Sequence, residues 1–360
     1  MKGKELKIVL QNKVNNFLLN AYFLCIIMAH ENLYPWFYEN YIQLYYNDKK
    51  QGRYGKKEIW LDFYGGWTEP QKLLDFIKIP RKTFESTNIL TYIKRNIDEG
   101  LYVFTYFDEY YVKPNYTESG THFVHDILVY GYNDLDKELS VLGFDDNRAF
   151  VSYKVPYVKF IMAFEKGLEL TNTDESWNMD AFYGRLFGVK SQDSGIYSFD
   201  CKRFADRLGD YIYSVNTVKK DYPDYDRDNP VDYCEIYLMD ENVFGMDIYK
   251  HLPQYMEEVL QSKDLLFYTA FHTLYEHKVC MMDKLNYIST RFNLHKELDE
   301  ILESYGHITS VFNSIRLTAL KYNRCRKENL LREIIPIIGT ETENEKDVLS
   351  RAYDVISRTF

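Results

Sequence analysis

The sequence predicts an α+β protein, and three observations carry the prediction. Over most of the first 100 residues apolar side chains recur at helical spacing, interrupted by a strand-like run at 58–64. From Gly100 to Val155 the period falls to that of strands. Beyond residue 246 helical spacing returns and persists.

Residues 15–30 read as a buried helix with Asn15 or Asn16 as N-cap. Its apolar stretch, FLLNAYFLCIIMA (17–29), contains Asn20 and is too short to span a bilayer. Lysines precede it, but Glu5 interrupts them and no small-residue cleavage site follows, which argues against a signal peptide. Pro35 suits the first turn of a second helix over 35–46. EIWLDFY (58–64) reads as a strand stopped by Gly65-Gly66. TEPQKLLDFIK (68–78) and STNILTYIKRNIDEG (86–100) read as amphipathic helices, the second running from a Ser/Thr cap to Gly100. LYVFTYFDEYYV (101–112), the two apolar runs of 125–144 and AFVSYKV (149–155) are expected strands, followed by a helix at 156–167. Residues 178–218 read as helical and 221–233 as an acidic loop. A polar stretch near residue 170 divides the chain into an α+β region (1–168) and a mainly helical region (169–360).

Composition narrows the function. With 46% apolar residues, 34 Tyr and 23 Phe, the chain is globular. A formal charge of −10 argues against nucleic acid as a partner. The five cysteines are scattered without CxxC spacing, which suits a reducing cytoplasm and predicts neither a disulfide framework nor a zinc site. No dinucleotide, P-loop or nucleophile-elbow motif occurs. His272 and His277 are five residues apart, so they do not stack on a helix as metal ligands would. No metal or cofactor is therefore expected.

One stretch raises a question of chemistry. His125 opens an apolar run ending at Gly131, and a second run closes on Gly143-Phe144-Asp145. If the two pair as antiparallel neighbours, His125 and Asp145 lie at the same end of the sheet. A carboxylate there would hold the imidazole in one tautomer. The plainer reading is a hairpin whose end residues are polar because water reaches them. His122 precedes the strand, and Asp126 is expected to face solvent.

HDILVYGYN (125–133) and VLGFD (141–145) resemble the histidine and acid strands of papain-like cysteine proteins. The similarity is nearest to the bacterial family of butirosin biosynthesis protein H, with FDEYYV (107–112), YPWFYENYIQLYY (34–46), FGMDIYKHL and LYEHKVCM in agreement. The resemblance implies a papain-like fold and a role in peptide or aminoglycoside antibiotic biosynthesis. It implies acyl transfer, hydrolysis or cyclisation on groups delivered by an acyl or peptidyl carrier protein, with a small amine or peptide as substrate. Phosphopantetheine would enter only as part of that carrier. His125 would be the general base and Asp145 its orienter, with oxyanion donors near Asn16 and Phe17. A helix-start cysteine is the expected nucleophile, yet no Cys, Ser or Thr lies between Gln11 and Leu24. Cys25 lies about nine residues past the cap, roughly 13 Å along a helix axis. A scaffold keeping base and orienter without the thiol is the expectation, with Cys25 as the alternative acyl carrier. The rival is a non-catalytic docking protein. KYNRCRKENLLR (321–332) would then be a basic docking patch, or else simply a solvated helix face.

Overall fold

Of the strands expected between 101 and 155, the first stops at Asp108, with Glu109–Val112 helical instead, and together they build one antiparallel sheet. The computed structural model describes residues 3–48, 59–66, 68–80, 86–112, 122–145, 147, 149–173, 185–191, 197–222 and 242–360. In chain order the elements are β1 (Gly3–Glu5), α1 (Leu18–Met28), α2 (Pro35–Glu39), β2 (Leu44–Asn47), β3 (Trp60–Phe63), β4 (Leu74–Pro80), α3 (Ser86–Asp98), β5 (Tyr102–Asp108), α4 (Glu109–Val112), β6 (Val124–Asn133) and β7 (Glu138–Phe144). There follow β8 (Phe150–Pro156), α5 (Tyr157–Thr173), β9 (Arg185–Ser191), α6 (Cys201–Ile212), α7 (Thr217–Asp221), β10 (Val243–Phe244), α8 (Ile248–Ser262), α9 (Tyr268–Phe292), α10 (His295–Cys325) and α11 (Glu328–Thr359). The architecture is mixed α+β.

Two units share these elements. The first comprises Met1–Leu33 and Glu69–Ile196. Its sheet runs β4-β9-β5-β6-β7-β8, with β1 added on β6 and every pairing antiparallel. Alternation along each strand sorts the side chains to two faces. Val103 and Phe107 of β5 join Ile127 and Val129 of β6 in a core shared with Ile93 of α3 and Phe160 and Phe164 of α5. Phe104 faces the other way, where Tyr22 and Phe23 of α1 meet its ring at 5.9 and 6.2 Å. A helix apolar all round belongs inside a protein, and α1 is buried at every position but Leu19. A bulge between Val129 and Gly131 marks where β1 docks. A Cβ at Gly131 would lie 2.6 Å from Glu5 Cγ and 2.9 Å from the Lys4 carbonyl oxygen, so β1 fits only against glycine.

The second unit comprises Tyr34–Thr68 and Tyr197–Phe360. It contains a small antiparallel sheet, β10-β2-β3, and the long helices α8 to α11. The turns after α8, α9 and α10 pass through left-handed Lys263, Asn293 and Arg326 (φ 57°, 57° and 56°), which reverse the chain without glycine.

Several expectations need correction. The helix proposed for 35–46 ends at Glu39, and Leu44–Asn47 pairs instead with β3 and β10. The helix proposed for 68–78 is a single 3-10 turn at Pro70–Lys72 followed by strand β4 from Leu74. Within 178–218, residues Arg185–Ser191 form β9, lodged between β4 and β5. The acidic loop at 221–233 lies mostly outside the described residues. The division at 168/169 also differs from the units observed: residues 34–68 join the helical unit because β2 pairs with β10 there, while β9 returns residues beyond 168 to the first sheet.

Candidate functional site

β5 and β6 end side by side, with Phe107 opposite His125 and Asp108 opposite Val124. The next residue, Glu109, begins α4 and is held in register by its amide donating to the Phe123 carbonyl at 2.9 Å. The hairpin thus delivers two acids from one strand end to two histidines at the start of its neighbour.

The His125 imidazole finds its carboxylate here, and it is not Asp145. Nδ1 lies 2.9 Å from Glu109 Oε1, and Nε2 lies 3.2 Å from Asp126 Oδ1. Phe123 and Phe144 flank the ring at 5.4 and 6.1 Å. The β6–β7 ladder stops at Leu128–Leu142, three residues short of the 125/145 position. Asp145 is occupied elsewhere, since its Oδ1 accepts from the amides of Asn147 and Ala149, each at 2.8 Å. It orders the turn into β8, a common use of aspartate. Asp126, expected to face solvent, is buried.

The second pair joins His122, which precedes the strand, to Asp108, an acid that the sequence reading does not single out. Asp108 is fully buried, and its Oδ1 accepts from the amides of Tyr110 and Phe123 at 3.1 Å each. Its Oδ2 lies 2.6 Å from Nδ1 of His122, a ring that is 44% exposed. The acids Asp108 and Glu109 were present in FDEYYV. Placing them required knowing which end of β5 meets which end of β6.

Helix α1 does reach this strand, through a phenol. The Tyr22 hydroxyl donates to the Asp126 carbonyl at 3.1 Å, and burial together with the charges of Asp126 and Glu109 raises its pKa well above the usual value. Phe17, near which the resemblance places the oxyanion donors, is the helix N-cap. Cys25, one turn beyond Tyr22, is fully buried. Desolvation pushes its thiol up to about 12, with hydrogen bonds from Gln11 offsetting only part of the shift. A thiol in that state is an unreactive core residue at neutral pH. Cys201, Cys280 and Cys325 are likewise thiols, and Cys234 lies outside the described residues.

The second unit contains a different polar cluster. Lys278 Nζ lies 2.7 Å from Glu345 Oε1 with both side chains fully buried. Tyr305 and Tyr211 donate to the same oxygen at 2.8 and 3.2 Å, and Lys278 also donates to Tyr249. Burial lowers the lysine pKa, and Glu345 opposes that shift. With both charged side chains fully buried, this cluster is core structure. His272 and His277 face different partners: the first lies against Glu276, and the second has its Nε2 2.7 Å from the Ile42 carbonyl. Among the described residues no group of three or more His, Cys, Asp or Glu is placed to hold a metal, and no helix is long and apolar enough to cross a membrane.

The strongest chemical feature is therefore a pair of acid–imidazole contacts at one end of an antiparallel sheet, in a mixed α+β protein. No protein-family model matches the chain, and no curated protein matches it.

Proposed function

We propose that the chain is an accessory protein of bacterial natural-product biosynthesis whose first unit is a papain-like scaffold. It acts on acyl or peptidyl groups presented as carrier-protein thioesters, and passes them to an amine or to water without an acyl-enzyme at residue 25. The observation that carries this reading is the combination in one unit of buried carboxylates against imidazoles with a thiol sealed in the core. General-base catalysis needs the first and not the second. Such a site would remove a proton from the attacking nucleophile, contributing on the order of 10²–10⁴ in rate.

The test uses an aminoacyl N-acetylcysteamine thioester, which mimics the end of a phosphopantetheine arm, with an added amine. Amine-dependent release of thiol, with no mass added to the protein, is the expected result. Absence of release overturns the enzymatic reading.

A second reading, docking without catalysis, is favoured by one observation. Arg324, Arg326 and Lys327 are exposed at the α10–α11 turn, and among the described residues none has a carboxylate partner, in a chain of net charge −10. An acidic carrier surface would complement them. Charge reversal at these three positions weakens carrier binding under this reading and leaves thioester release from the small probe unchanged.

A further inference from the structure

The two imidazoles at the sheet end are not equivalent. His125 has a carboxylate oxygen near each ring nitrogen, Glu109 at Nδ1 and Asp126 at Nε2. Its ring is only 27% exposed and is flanked by Phe123 and Phe144. An imidazole bridging two acids has no nitrogen left to take a proton from a substrate. His122 is arranged otherwise. Its Nδ1 meets Asp108, a carboxylate fixed by two backbone amides, while its Nε2 has no partner among the described residues and its ring reaches solvent. Tyr110 and Tyr111 border the ring at 4.5 and 5.8 Å, and restrain its plane. A carboxylate on Nδ1 keeps the proton there and leaves Nε2 as the acceptor. The backbone of Asp108 is itself backed by α5. A Cβ at Gly167 would lie 3.0 Å from the Asp108 nitrogen, tighter than an ordinary contact, so glycine here lets the helix approach the strand closely.

We propose that His122 Nε2, and not His125, is the proton acceptor of this site, and that Asp108 is its positioning residue. The inference rests on the acyl-transfer reading above and names its base. The substrate class is a thioester carbonyl attacked by a neutral amine or by water. As the nucleophile adds to the carbonyl carbon, its N–H or O–H proton passes to His122 Nε2. The tetrahedral intermediate then collapses, the C–S bond breaks with its electron pair on sulfur, and the imidazolium returns the proton to that thiolate. The products are an amide or acid and a free thiol, with no oxidant or reductant consumed. Glu109, His125 and Asp126 then serve as a bridge tying β6 to α4.

Two measurements test this. The first is thiol release from the aminoacyl N-acetylcysteamine thioester by the full chain, comparing wild type, His122→Gln and His125→Gln. Gln at 122 retains a donor for Asp108 and removes the basic nitrogen. A loss of about 100-fold or more in kcat/KM is expected for His122→Gln. Unchanged turnover in that variant, or a loss confined to His125→Gln, overturns the assignment and leaves the acyl-transfer reading standing. An inactive wild type overturns both. The second is ¹⁵N NMR of the histidine rings, which needs no substrate. Wild-type His122 is expected in the Nδ1–H form with bare Nε2, and Asp108→Asn is expected to abolish that preference. A His122 protonated on Nε2 in neutral wild-type protein contradicts the proposal.

Discussion

Replacing Glu345 by Gln tests whether the buried cluster of the helical unit is structure alone. The change preserves shape and an amide oxygen, so Tyr305 and Tyr211 retain an acceptor at 2.8 and 3.2 Å. What disappears is the charge 2.7 Å from the Lys278 ammonium, at a site where neither side chain is exposed. Removing one partner of a buried ion pair costs about 3–5 kcal/mol, because the other charge stays behind uncompensated. The lysine has an escape, which is to release its proton. From an unfolded-state pKa near 10.4, neutralising it at pH 7 costs about 4.6 kcal/mol, at about 1.36 kcal/mol per pH unit, and this caps the charge penalty. The sign follows from the lowered folded-state pKa of Lys278. Between its folded and unfolded values the unfolded chain binds the extra proton, so the deficit shrinks as pH rises from 7 toward about 10. Urea unfolding of wild type and Glu345→Gln at pH 7 and pH 9.5 measures both effects. The double variant Lys278→Met with Glu345→Gln removes both charges, keeps an amide oxygen for Tyr305 and Tyr211, and is expected to recover most of the loss. A single-variant deficit under about 1 kcal/mol at pH 7, or a double variant as unstable as the single, refutes the ion-pair argument.

Three further outcomes are expected. In native protein at pH 8, iodoacetamide labels exposed Cys325 and spares Cys25, whose thiol burial pushes up to about 12; peptide mass mapping that finds Cys25 labelled first contradicts the packing of α1. Gly167→Ala sets a Cβ 3.0 Å from the Asp108 nitrogen, so α5 or the strand must give by a few tenths of an ångström and the His122 ring resonances are expected to shift; a spectrum unchanged at His122 would mean α5 does not support the dyad. The Glu5 pKa is lowered by its bonds to Lys154 and Ser140, so its contribution is present above about pH 4.3 and fades as pH falls through the folded value. Glu5→Gln is then less stable than wild type at pH 7, by at most about 1 kcal/mol for so exposed a pair, and equal to it near pH 2. Equal stability at both pH values removes any role for that bond.

Local pattern made part of this legible. The helix at 86–98 has a Ser/Thr start and a Gly100 stop, and strands β5 to β7 are short, nearly continuous runs of aromatic and branched residues broken by turn residues. Segments whose partners are distant in sequence depart from their local pattern. Leu44–Asn47 is aromatic enough to suit either a helix or a strand, and its pairing with Trp60–Phe63 and Val243–Phe244 decides the matter. Arg185–Ser191 becomes a strand because β4 and β5 leave a place between them. The site followed the same division. The sequence shows His125 where a strand begins, but it points to an acid across the β6–β7 hairpin, where Asp145 instead serves the turn. Glu109, which lies against the His125 ring, begins α4 just past the end of β5, on the other side of β6, and spacing along the chain cannot tell one neighbour from the other.

The whole functional account reduces to base catalysis without a thiol carrier, and Cys25→Ala is the shortest route to it. With the thioester probe and an amine, turnover by this variant is expected to match wild type within about twofold, with no acyl mass on either protein. Abolished turnover in Cys25→Ala, together with an acyl adduct mapped to Cys25 in wild type, would return the chain to covalent chemistry and contradict the account.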